Sequence, residues 1–409
     1  MSATHPSSIA FEHGLSSKRL WALMGTLAAM TAFAPLATDV YLPAFPNLTQ
    51  EFNSTDAAAQ LTLTASFLGI MLGQLIFGPL SDSVGRRRLV LITTITTVFA
   101  TLACAMAPSM GFLTVARLIL GITGGAGIVI SRAIAADIVK GAEAARFFSL
   151  LMSISMLAPL VGPLIGGVLL DMTDTWRSAF FFLAIFCALL AAAIVLFVPE
   201  TLPVERRHAG GYSQLGKGAL ALMRDRVFVG YAITQVFAFG ALFAYLASSS
   251  FIFQEKFGLS ATQYSFAFSG LAGSIVIMGF VNRRLVVTLD VRKVLVWSLA
   301  IAAVGAIALI PIMGADQPSM WLMILMLLLV IATRATIGAN SMALGLARSA
   351  LMGTASAILG ALTFAGALVV APMLALMPYD TGLTMAVVMA LCSVLAWAST
   401  TFLSREKSA

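Results

Sequence analysis

An acidic residue, Asp39, lies near the end of an apolar run that covers residues 19–42. A carboxylate in an apolar environment costs free energy unless it is paired with a cation or protonated, so such an acid is a candidate functional residue. A carboxyl group that alternates between two environments can take up and release a proton. We therefore expect Asp39 to carry a proton. The alternative is that it caps the outer end of a helix in contact with water.

Arg117 is the cation best placed to act with Asp39. It lies in the apolar run 111–136, about 12 Å below the outer end of the run near Pro108, at 1.5 Å per residue. Gly121 and two later glycines in the same run allow neighbouring helices to pack closely. A buried guanidinium could tune Asp39 or compete for it. The alternative is that backbone carbonyl groups satisfy the arginine.

The composition defines the environment of these two charges. Of the 409 residues, 60% are hydrophobic and only 10% are charged, and the mean hydropathy is +0.99. This balance excludes a soluble globular protein and indicates a polytopic membrane protein within a lipid bilayer. The net charge is +7, but most of the Lys and Arg residues lie between apolar runs, where positive charge marks the cytoplasmic side. The charge therefore indicates topology and no nucleic-acid partner.

The apolar runs predict twelve membrane-spanning helices, each with the required length of about 20 apolar residues. An even number of spans places both tails, 1–18 and 404–409, on the cytoplasmic side. The polar segment 200–226 is predicted to link a six-helix bundle at 19–199 to a second at 227–403. The expected spans are 19–42, 60–81, 89–108, 111–136, 146–170, 178–198, 227–252, 263–282, 292–313, 319–346, 351–377 and 382–403.

Internal similarity supports two parallel halves. Gly69 and Gly78 in the second span align with Gly270 and Gly279 in the eighth. The segment 251–257 also resembles residues 41–52, which we expect to be extended. Parallel repeats of this kind place a substrate site between the bundles, near the middle of the membrane.

The loop between the second and third spans, Gly78 to Arg88, contains three consecutive arginines. Arginines avoid hydrocarbon and favour the cytoplasmic side, so this loop orients the chain. Gly78 can let another backbone approach, Asp82 can accept hydrogen bonds from a helix N-terminus or an arginine, and Gly85 can adopt a positive φ. The alternative is an ordinary basic turn.

The spacing of Gly78, Asp82, Gly85, Arg86 and Arg87 resembles the signature loop of the major facilitator superfamily. The resemblance implies the major facilitator fold of that superfamily, an all-α membrane protein with twelve transmembrane helices in two six-helix bundles. It also implies that the loop latches the two halves in the outward-open state.

Two further charges flank the cytoplasmic turn between the fourth and fifth spans. Asp137 and Arg146 are expected to join Asp82 and Arg86 in a charge network at the inner gate. For Arg146, a solvated loop charge is an equally open alternative. In the fourth span, Arg117 and Gly121 resemble the superfamily motif that is thought to serve proton transfer.

The fifth span contains prolines and glycines that, on physical grounds, predict a kinked and closely packed helix. The same pattern resembles the motif that marks proton antiporters within the superfamily, and it therefore favours export. The residues are Pro159, Gly162, Pro163, Gly166 and Gly167.

Large aromatic and sulfur-containing side chains could line an apolar substrate cavity, because soft side chains adapt to varied lipophilic ligands. The alternative is that they face lipid or neighbouring helices. The candidates are Tyr41, Phe67, Met71, Met152, Met156, Phe237, Phe239 and Tyr245, together with Arg334.

Arg334 departs from the family pattern. It lies near the centre of the tenth span, where an arginine costs at least about 2.5 kcal/mol on insertion scales. We expect it to face the interior of the bundle, although the cores of the C-terminal spans offer no acid to pair with it. Carbonyl groups and the hydroxyls of Thr333 and Thr336 could satisfy it. Alternatively, it adds a cationic contact on the cavity wall that favours acidic or acceptor-rich ligands.

Four motifs together resemble the Bcr/CflA-type drug-resistance transporters over essentially the full chain. They begin at Asp39, Gly78, Gly162 and Gly353. The resemblance implies proton-coupled efflux of small-molecule drugs from the bacterial inner membrane, with the proton as coupling ion. We expect a monomer with no other cofactor, no metal and no enzyme activity. The alternatives are a proton-coupled exporter of a metabolite, such as an amino acid or sugar, and a receptor or scaffold that does not transport.

Overall fold

The computed structural model describes residues 17–139, 141–207, 211–348, 352–377 and 380–404. Within these ranges the structure leaves out the side chains of 17, 141–146, 148–150, 152, 153, 155, 156, 206, 211–215, 217, 352 and 353. The predicted site residues Arg146, Met152 and Met156 therefore lie outside the described side chains. Almost all of the predicted tails, 1–18 and 404–409, also lie outside the described residues.

The described residues form helices with short connections and contain no strand. The α-helices are α1 Ser17–Asp39, α2 Phe45–Glu51, α3 Asp56–Val84, α4 Arg86–Ala105, α5 Met110–Ile138, α6 Gly141–Thr173, α7 Arg177–Phe197, α8 Gly211–Leu222, α9 Arg226–Phe251, α10 Ala261–Thr288, α11 Val291–Met313, α12 Met320–Ala332, α13 Arg334–Leu346, α14 Met352–Leu376 and α15 Thr381–Ala398. Short 3-10 helices cover Leu42–Ala44 and Val204–Arg206, and π-helical turns cover Ile252–Lys256 and Ser399–Leu403.

Among the described residues, eleven helical segments are long and apolar enough to cross a membrane, and α6 adds the shorter apolar stretch Leu157–Thr173. Large apolar side chains such as Phe99, Leu189 and Trp297 are exposed on the outside of the molecule. A surface of this kind suits contact with lipid. The chain is a multi-pass, all-α membrane protein, as predicted.

Many of the helices begin at a residue whose side chain caps the first turn. A Ser, Thr or Asp oxygen there accepts a hydrogen bond from a backbone N–H that has no partner within the helix. This pattern explains where the apolar runs become helical. The capping residues are Thr55, Ser109, Asp225, Ser260, Asp290, Ser319 and Asp380.

The helices pack as two groups of six spans. In the first group α3 packs on α5, α4 on α7, and α1 on α6; in the second, α9 packs on α14 and α15, and α11 on α15. The two groups meet most extensively along two helix pairs, α6 with α10 and α3 with α14. These pairs bring together the surfaces that enclose the site described below.

Glycines set the closest helix contact in the first bundle. A side chain on Gly69 or Gly73 would collide with the backbone of α5 near Ile122. The expectation of such an approach at Gly78 is wrong, because its nearest neighbour is a Val129 methyl group, 3.4 Å from where a Cβ would lie. The related glycines of the second half, Gly270 and Gly279, have open space around them. The two halves therefore share the order of their helices, but the close packing at Gly69 does not recur at the aligned Gly270.

Three predicted boundaries are corrected by the structure. Residues 41–52 are helical rather than extended, because Pro43 and Pro46 occupy the first turns of short helices, where proline is favoured. The segment 200–226, predicted as a polar linker, contains α8. The tenth span is divided at Thr333 into α12 and α13.

Candidate functional site

An apolar cavity of about 170 Å³ lies between the two bundles. Helices α1, α3, α5 and α6 line it from one side, and α9, α10, α12 and α14 from the other. A change in the relative position of the bundles would therefore reshape the cavity. Its lining residues are Ala34, Pro35, Thr38, Asp39, Phe67, Ile70, Ile128, Pro159, Phe239, Leu242, Tyr245, Leu246, Phe268, Ala272, Ile275, Ile331 and Phe364.

Asp39 is the one acidic residue among the described residues that line the cavity. It is the last residue of α1 and is 4% exposed. Its Oδ1 accepts a hydrogen bond from the hydroxyl of Thr38 at 3.2 Å. Burial of a carboxylate with so few partners costs free energy. That cost is reduced when the carboxyl is protonated, or when a cation or a hydrogen-bond donor enters the cavity.

Aromatic rings form the wall of the cavity where the bundles meet. Phe67 of the first bundle contacts three rings of the second, with centroids 5.2 Å from Phe239, 5.8 Å from Phe243 and 5.8 Å from Phe364. Tyr245 stacks on Phe268 at 5.4 Å. Such rings offer apolar and π surface with little conformational freedom to lose.

The sequence candidates divide between cavity and core. Phe67, Phe239 and Tyr245 line the cavity. Among the described side chains, four other candidates do not line it: Tyr41, Met71, Phe237 and Arg334. The sequence did not separate these groups, because apolar residues on adjacent turns of one helix have the same composition whether they face a cavity or a neighbouring helix.

Arg117 is fully buried beside α1 but does not pair with Asp39. Its Nη1 donates to the carbonyl oxygen of Ala37 at 2.8 Å. Its guanidinium lies 4.1 Å from the ring centroid of Tyr41 and 5.7 Å from that of Phe180. No ion pair within 4 Å joins Arg117 to an acid in the part of the chain that the structure describes, so the alternative of a carbonyl-bonded arginine fits this geometry.

Tyr41 belongs to the same buried cluster rather than to the cavity. Its hydroxyl shares a hydrogen bond with Thr62 at 2.8 Å, and its ring packs on Phe45 and Phe180. The Nε and Nη2 atoms of Arg117 have no hydrogen-bond partner among the described residues. The arginine therefore retains donors that a rearranged α1 could use.

The glycines of α6 hold α1 and α10 at close range. The backbone around Asp39 and Val40 lies against Gly162 and Gly166, where a Cβ would touch the Asp39 Cβ or overlap the Val40 carbonyl. The next residue, Gly167, faces Ser265 of the second bundle. Pro159 lines the cavity one turn earlier. The α6 backbone therefore contacts the acid-bearing end of α1 through Gly162 and Gly166, and the opposing bundle through Gly167.

Arg86 organises the predicted charge network at the end of the molecule that carries the arginine loop, here named the loop end. Gly85 has φ +104° and joins α3 to α4. The Arg86 guanidinium contacts Asp82 at 2.6 Å and Asp137 at 3.2 Å and also bonds Ser81. Asp82, Arg86 and Asp137 come together as the sequence predicted.

The linker completes this network, which sequence reasoning missed. Glu200 accepts the backbone N–H groups of Arg86 at 2.9 Å and Arg87 at 3.3 Å, so it caps the start of α4. Thr201 donates to Asp137 at 2.8 Å. The sequence feature that could have indicated this role is the position of Glu200, an acidic residue directly after the predicted sixth span. All of these partners belong to the first half or the linker, so the described network does not itself cross to the second bundle.

Arg334 lies in the second bundle at the division between α12 and α13. Its Nη1 and Nη2 donate to the Gln235 side-chain oxygen at 3.5 and 3.4 Å. Gln235 in turn donates to the carbonyl of Gly338 at 3.0 Å. Arg334 lines a separate cavity of about 20 Å³, which is too small for a drug. An amide therefore takes the place of the acid that the sequence lacks.

At the end of the molecule away from the arginine loop, here named the opposite end, polar contacts join the two bundles. Gln254 donates to the carbonyl of Pro43 at 2.9 Å, and Thr381 donates to Asp56 at 3.0 Å. Thr262 bonds Asp171. Phe45 also packs on Phe251, with centroids 5.6 Å apart. These contacts hold the two bundles together at the opposite end.

Residues 27–372 match the sequence profile described as the Major Facilitator Superfamily. The chain belongs to the major facilitator superfamily. This assignment agrees with the two bundles, the loop at Gly85 and the cavity between them. A member of this superfamily is a transporter, so the prediction of a transporter rather than an enzyme is confirmed.

Relatives in the superfamily support the finer resemblance. The chain is 29% identical to a "Bicyclomycin resistance protein homolog" of Haemophilus influenzae over 91% of this chain and 93% of that protein. It is 30% identical to a "Chloramphenicol resistance protein" of Pseudomonas aeruginosa over 72% and 71%. It is also 39% identical to the "Uncharacterized MFS-type transporter YdgK" of Bacillus subtilis, over 65% of this chain and 66% of that protein. The resemblance to Bcr/CflA-type transporters is confirmed.

Solved structures of superfamily members share the fold. A nucleoside transporter, NupG, superposes with a TM-score of 0.77 at 12% identity, over 94% of this chain and 100% of that one. A D-xylose-proton symporter gives a TM-score of 0.72 at 17% identity, over 93% and 96%. At these identities the likeness establishes the fold alone, and the predicted major facilitator fold is confirmed.

Proposed function

We propose that this protein exports small lipophilic drugs across the bacterial inner membrane in exchange for protons, by alternating access. The observation that carries the proposal is Asp39, a single buried acid on the wall of an apolar cavity between two bundles. Relatives named for resistance to bicyclomycin and chloramphenicol support drugs as the substrate class. The loop end is then cytoplasmic and the opposite end faces outward.

The exchange follows from competition for Asp39. A drug that enters the cavity desolvates the carboxyl group further, and a donor or cationic group on the drug replaces the proton as its partner. Release of the drug on the outer side leaves a buried, unpaired carboxylate, which then takes up a proton. Drug and proton therefore bind in alternation, and this is the requirement for antiport.

The composition of the cavity wall favours lipophilic drugs over polar metabolites. A sugar or amino acid needs several hydrogen-bonding partners when it leaves water. The described lining offers Asp39, Thr38 and Tyr245 as its polar side chains, and the remainder is aliphatic or aromatic. Recognition by apolar area and aromatic contact tolerates substrates of varied shape.

The contacts between the bundles support alternating access about this cavity. Polar and aromatic contacts near Pro43, Asp56 and Phe251 close the opposite end. To open that end, these contacts must break while the surfaces of α6 and α10 move past each other. The Arg86 network would then stabilise the loop end, in the role that the superfamily resemblance implies.

The test of proton coupling is the Asp39→Asn variant in everted membrane vesicles. The amide keeps the size and hydrogen bonding of the side chain but cannot exchange a proton, so drug-induced proton release should be lost while drug binding persists. Asp290→Asn, at a helix start far along the chain from the cavity, is the matched control and should release protons as the wild type does. Proton release that survives in Asp39→Asn would refute the assignment.

The test of substrate class is a susceptibility panel in a host that lacks its own pumps. Resistance to several unrelated lipophilic drugs, lost in Asp39→Asn, is the expected result. Release of an amino acid or sugar with no change in resistance would favour the metabolite exporter. A chain that produces neither effect in any transport assay would favour a receptor or scaffold.

A further inference from the structure

We propose that protons reach Asp39 from the opposite end through two hydroxyl groups on one turn of α9, those of Ser248 and Tyr245. The proposal rests on the proposed function of Asp39 as the proton carrier. It assigns a route and two further residues to the coupling reaction, both of them in the bundle that does not contain Asp39.

The first observation is that these two hydroxyls are buried without partners. Tyr245 is 2% exposed and Ser248 is 0% exposed, and neither oxygen has a hydrogen-bond partner among the described residues. Buried polar groups are almost always satisfied by protein or by ordered water. Two buried hydroxyls without partners, three residues apart on one helix, therefore indicate sites for water.

The two neighbouring serines, unlike Ser248, have hydrogen-bond partners. Ser249 shares a hydrogen bond with the Tyr264 hydroxyl at 3.0 Å. Ser250 accepts a hydrogen bond from Gln254 at 2.7 Å. Of three consecutive buried serines, only Ser248 thus keeps both its donor and its acceptor capacity unused within the described residues.

Tyr245 connects the route to the acid. It lines the same cavity as Asp39, from the opposing bundle. The Asp39 carboxyl lies close enough to the Tyr245 and Tyr264 phenols to interact electrostatically with both. A water molecule in the cavity can therefore bond the Tyr245 hydroxyl on one side and the Asp39 carboxyl on the other.

Ser248 connects the route to the opposite end. It lines a polar cleft of about 390 Å³ together with Asp56 and Gln60 of α3 and Thr381 and Thr384 of α15. The cleft lies among the residues that join the bundles at that end. Positions three apart on a helix share a face, so Ser248 and Tyr245 are successive steps along one side of α9. One helical turn separates the polar cleft from the apolar cavity.

A proton crosses such a chain by exchange. Each hydroxyl accepts a proton on an oxygen lone pair and releases its own proton to the next oxygen. The net change is the transfer of one proton from a hydronium ion in the cleft, which becomes water, to the Asp39 carboxylate, which becomes the neutral acid. No covalent bond to carbon changes, and the hydroxyls regain their starting state when they rotate back.

The experiment compares proton flux with drug exchange in proteoliposomes that contain a pH-sensitive dye. Ser248→Ala and Tyr245→Phe each remove one oxygen and fill nearly the same volume. Both should slow drug-driven proton flux by at least about tenfold, in line with the contribution of a positioned proton-transfer group. Counterflow of drug against drug needs no proton transfer and should persist. The matched control is Ser250→Ala on the same helix, which should leave proton flux unchanged.

A structural role would give a different pattern. Removal of a buried hydroxyl that has no protein partner among the described residues leaves no protein group there unsatisfied, so neither variant should lower the melting temperature. Wild-type proton flux in Ser248→Ala would overturn the route, whether or not Tyr245→Phe is slow. Retained coupling in Asp39→Asn would instead overturn the proposed function, so the two failures are distinguishable.

Discussion

Gly166 of α6 lies directly against the backbone carbonyl of Val40, the residue that follows Asp39. A Cβ at this glycine would overlap the carbonyl oxygen and lie 2.7 Å from the carbonyl carbon. The end of α1 is thus positioned by contact with backbone rather than with side chains. Because that contact is rigid, a small change on α6 should be transmitted to the acid.

We therefore expect Gly166→Ala to displace the end of α1 and to lower stability by about 1–3 kcal/mol, the usual cost of inserting a methyl group into a packed site. Drug-driven proton release should fall with it, because Asp39 moves. Thermal unfolding in detergent measures the first effect. Gly270→Ala, whose Cβ would meet open space, is the control and should melt as the wild type does; equal melting of both variants would contradict the packing argument.

Arg117→Lys should impair export although it conserves charge. A lysine can bond the Ala37 carbonyl, but it cannot lie flat on the Tyr41 ring or provide the two unused N–H groups of the guanidinium. Tyr41→Phe keeps the ring face and loses only the bond to Thr62, at about 0.5–1.5 kcal/mol of stability. The initial rate of export should fall in Arg117→Lys and stay at the wild-type value in Tyr41→Phe. The reverse order would assign the role to the phenol.

At the loop end, Asp137→Asn should slow transport more than Asp82→Asn. Both acids contact Arg86, but the Asp82 side chain is 49% exposed and the Asp137 side chain 24%. Exposed pairs contribute only about 0–1 kcal/mol, and Asp137 also accepts a hydrogen bond from Thr201. Transport rate and equilibrium drug binding should be measured separately. A loss of binding with an intact rate would show that the network does not act on the conformational cycle.

Acid should weaken the opposite end through Asp380, which lies before α15. Burial alone would raise the pKa of this carboxyl, but the hydrogen bond and charge of Lys256 and the Leu383 and Gly382 N–H groups outweigh it and hold the pKa below its ordinary value. A lowered carboxyl pKa contributes stability that is present above about pH 4 and lost as the pH falls through the folded-state value. Melting temperatures from pH 5 to pH 3 should decline less steeply in Asp380→Asn than in the wild type, with Lys256→Gln between them. Parallel curves would exclude this contribution.

Arg334→Gln should reduce export of anionic and cationic drugs by similar factors. The guanidinium bonds Gln235 and lines the 20 Å³ cavity rather than the larger one, so it cannot select ligands by charge. A glutamine retains donors for the Gln235 oxygen and removes a buried charge. Export assays with one drug of each class test this expectation. A selective loss of anionic drugs would restore the cationic contact that the sequence suggested.

The sequence was sufficient for the fold and for the grouping of Asp82, Arg86 and Asp137, although not for the part that Glu200 plays. Apolar runs of membrane length repeat along the chain, and each charged residue is conspicuous because these runs contain so few charges. Asp39 was identifiable for the same reason. The relation of Asp39 to Arg117 could not be predicted. Residues 37 and 39 lie at the same helix end, and only the structure shows that the arginine bonds the backbone carbonyl of Ala37.

Features that depend on backbone placement also escaped prediction. The division at Thr333 has no proline or glycine to mark it. The orphan hydroxyl of Ser248 cannot be told from that of Ser249 by composition, because the distinction is the presence of Tyr264 beside one of them. Side-chain type indicates what a residue can bond, and the tertiary structure decides whether it does.

The capping of Arg86 by Glu200 also has a consequence for biosynthesis. The two residues are 114 positions apart, so the arginine loop leaves the ribosome well before the carboxylate that completes it. Until the sixth span has been inserted, the start of α4 exposes N–H groups without their acceptor. Because domains fold as units during synthesis, from the N-terminus onward, the docking of Glu200 marks the moment at which the first bundle is finished and the second can begin to assemble upon it.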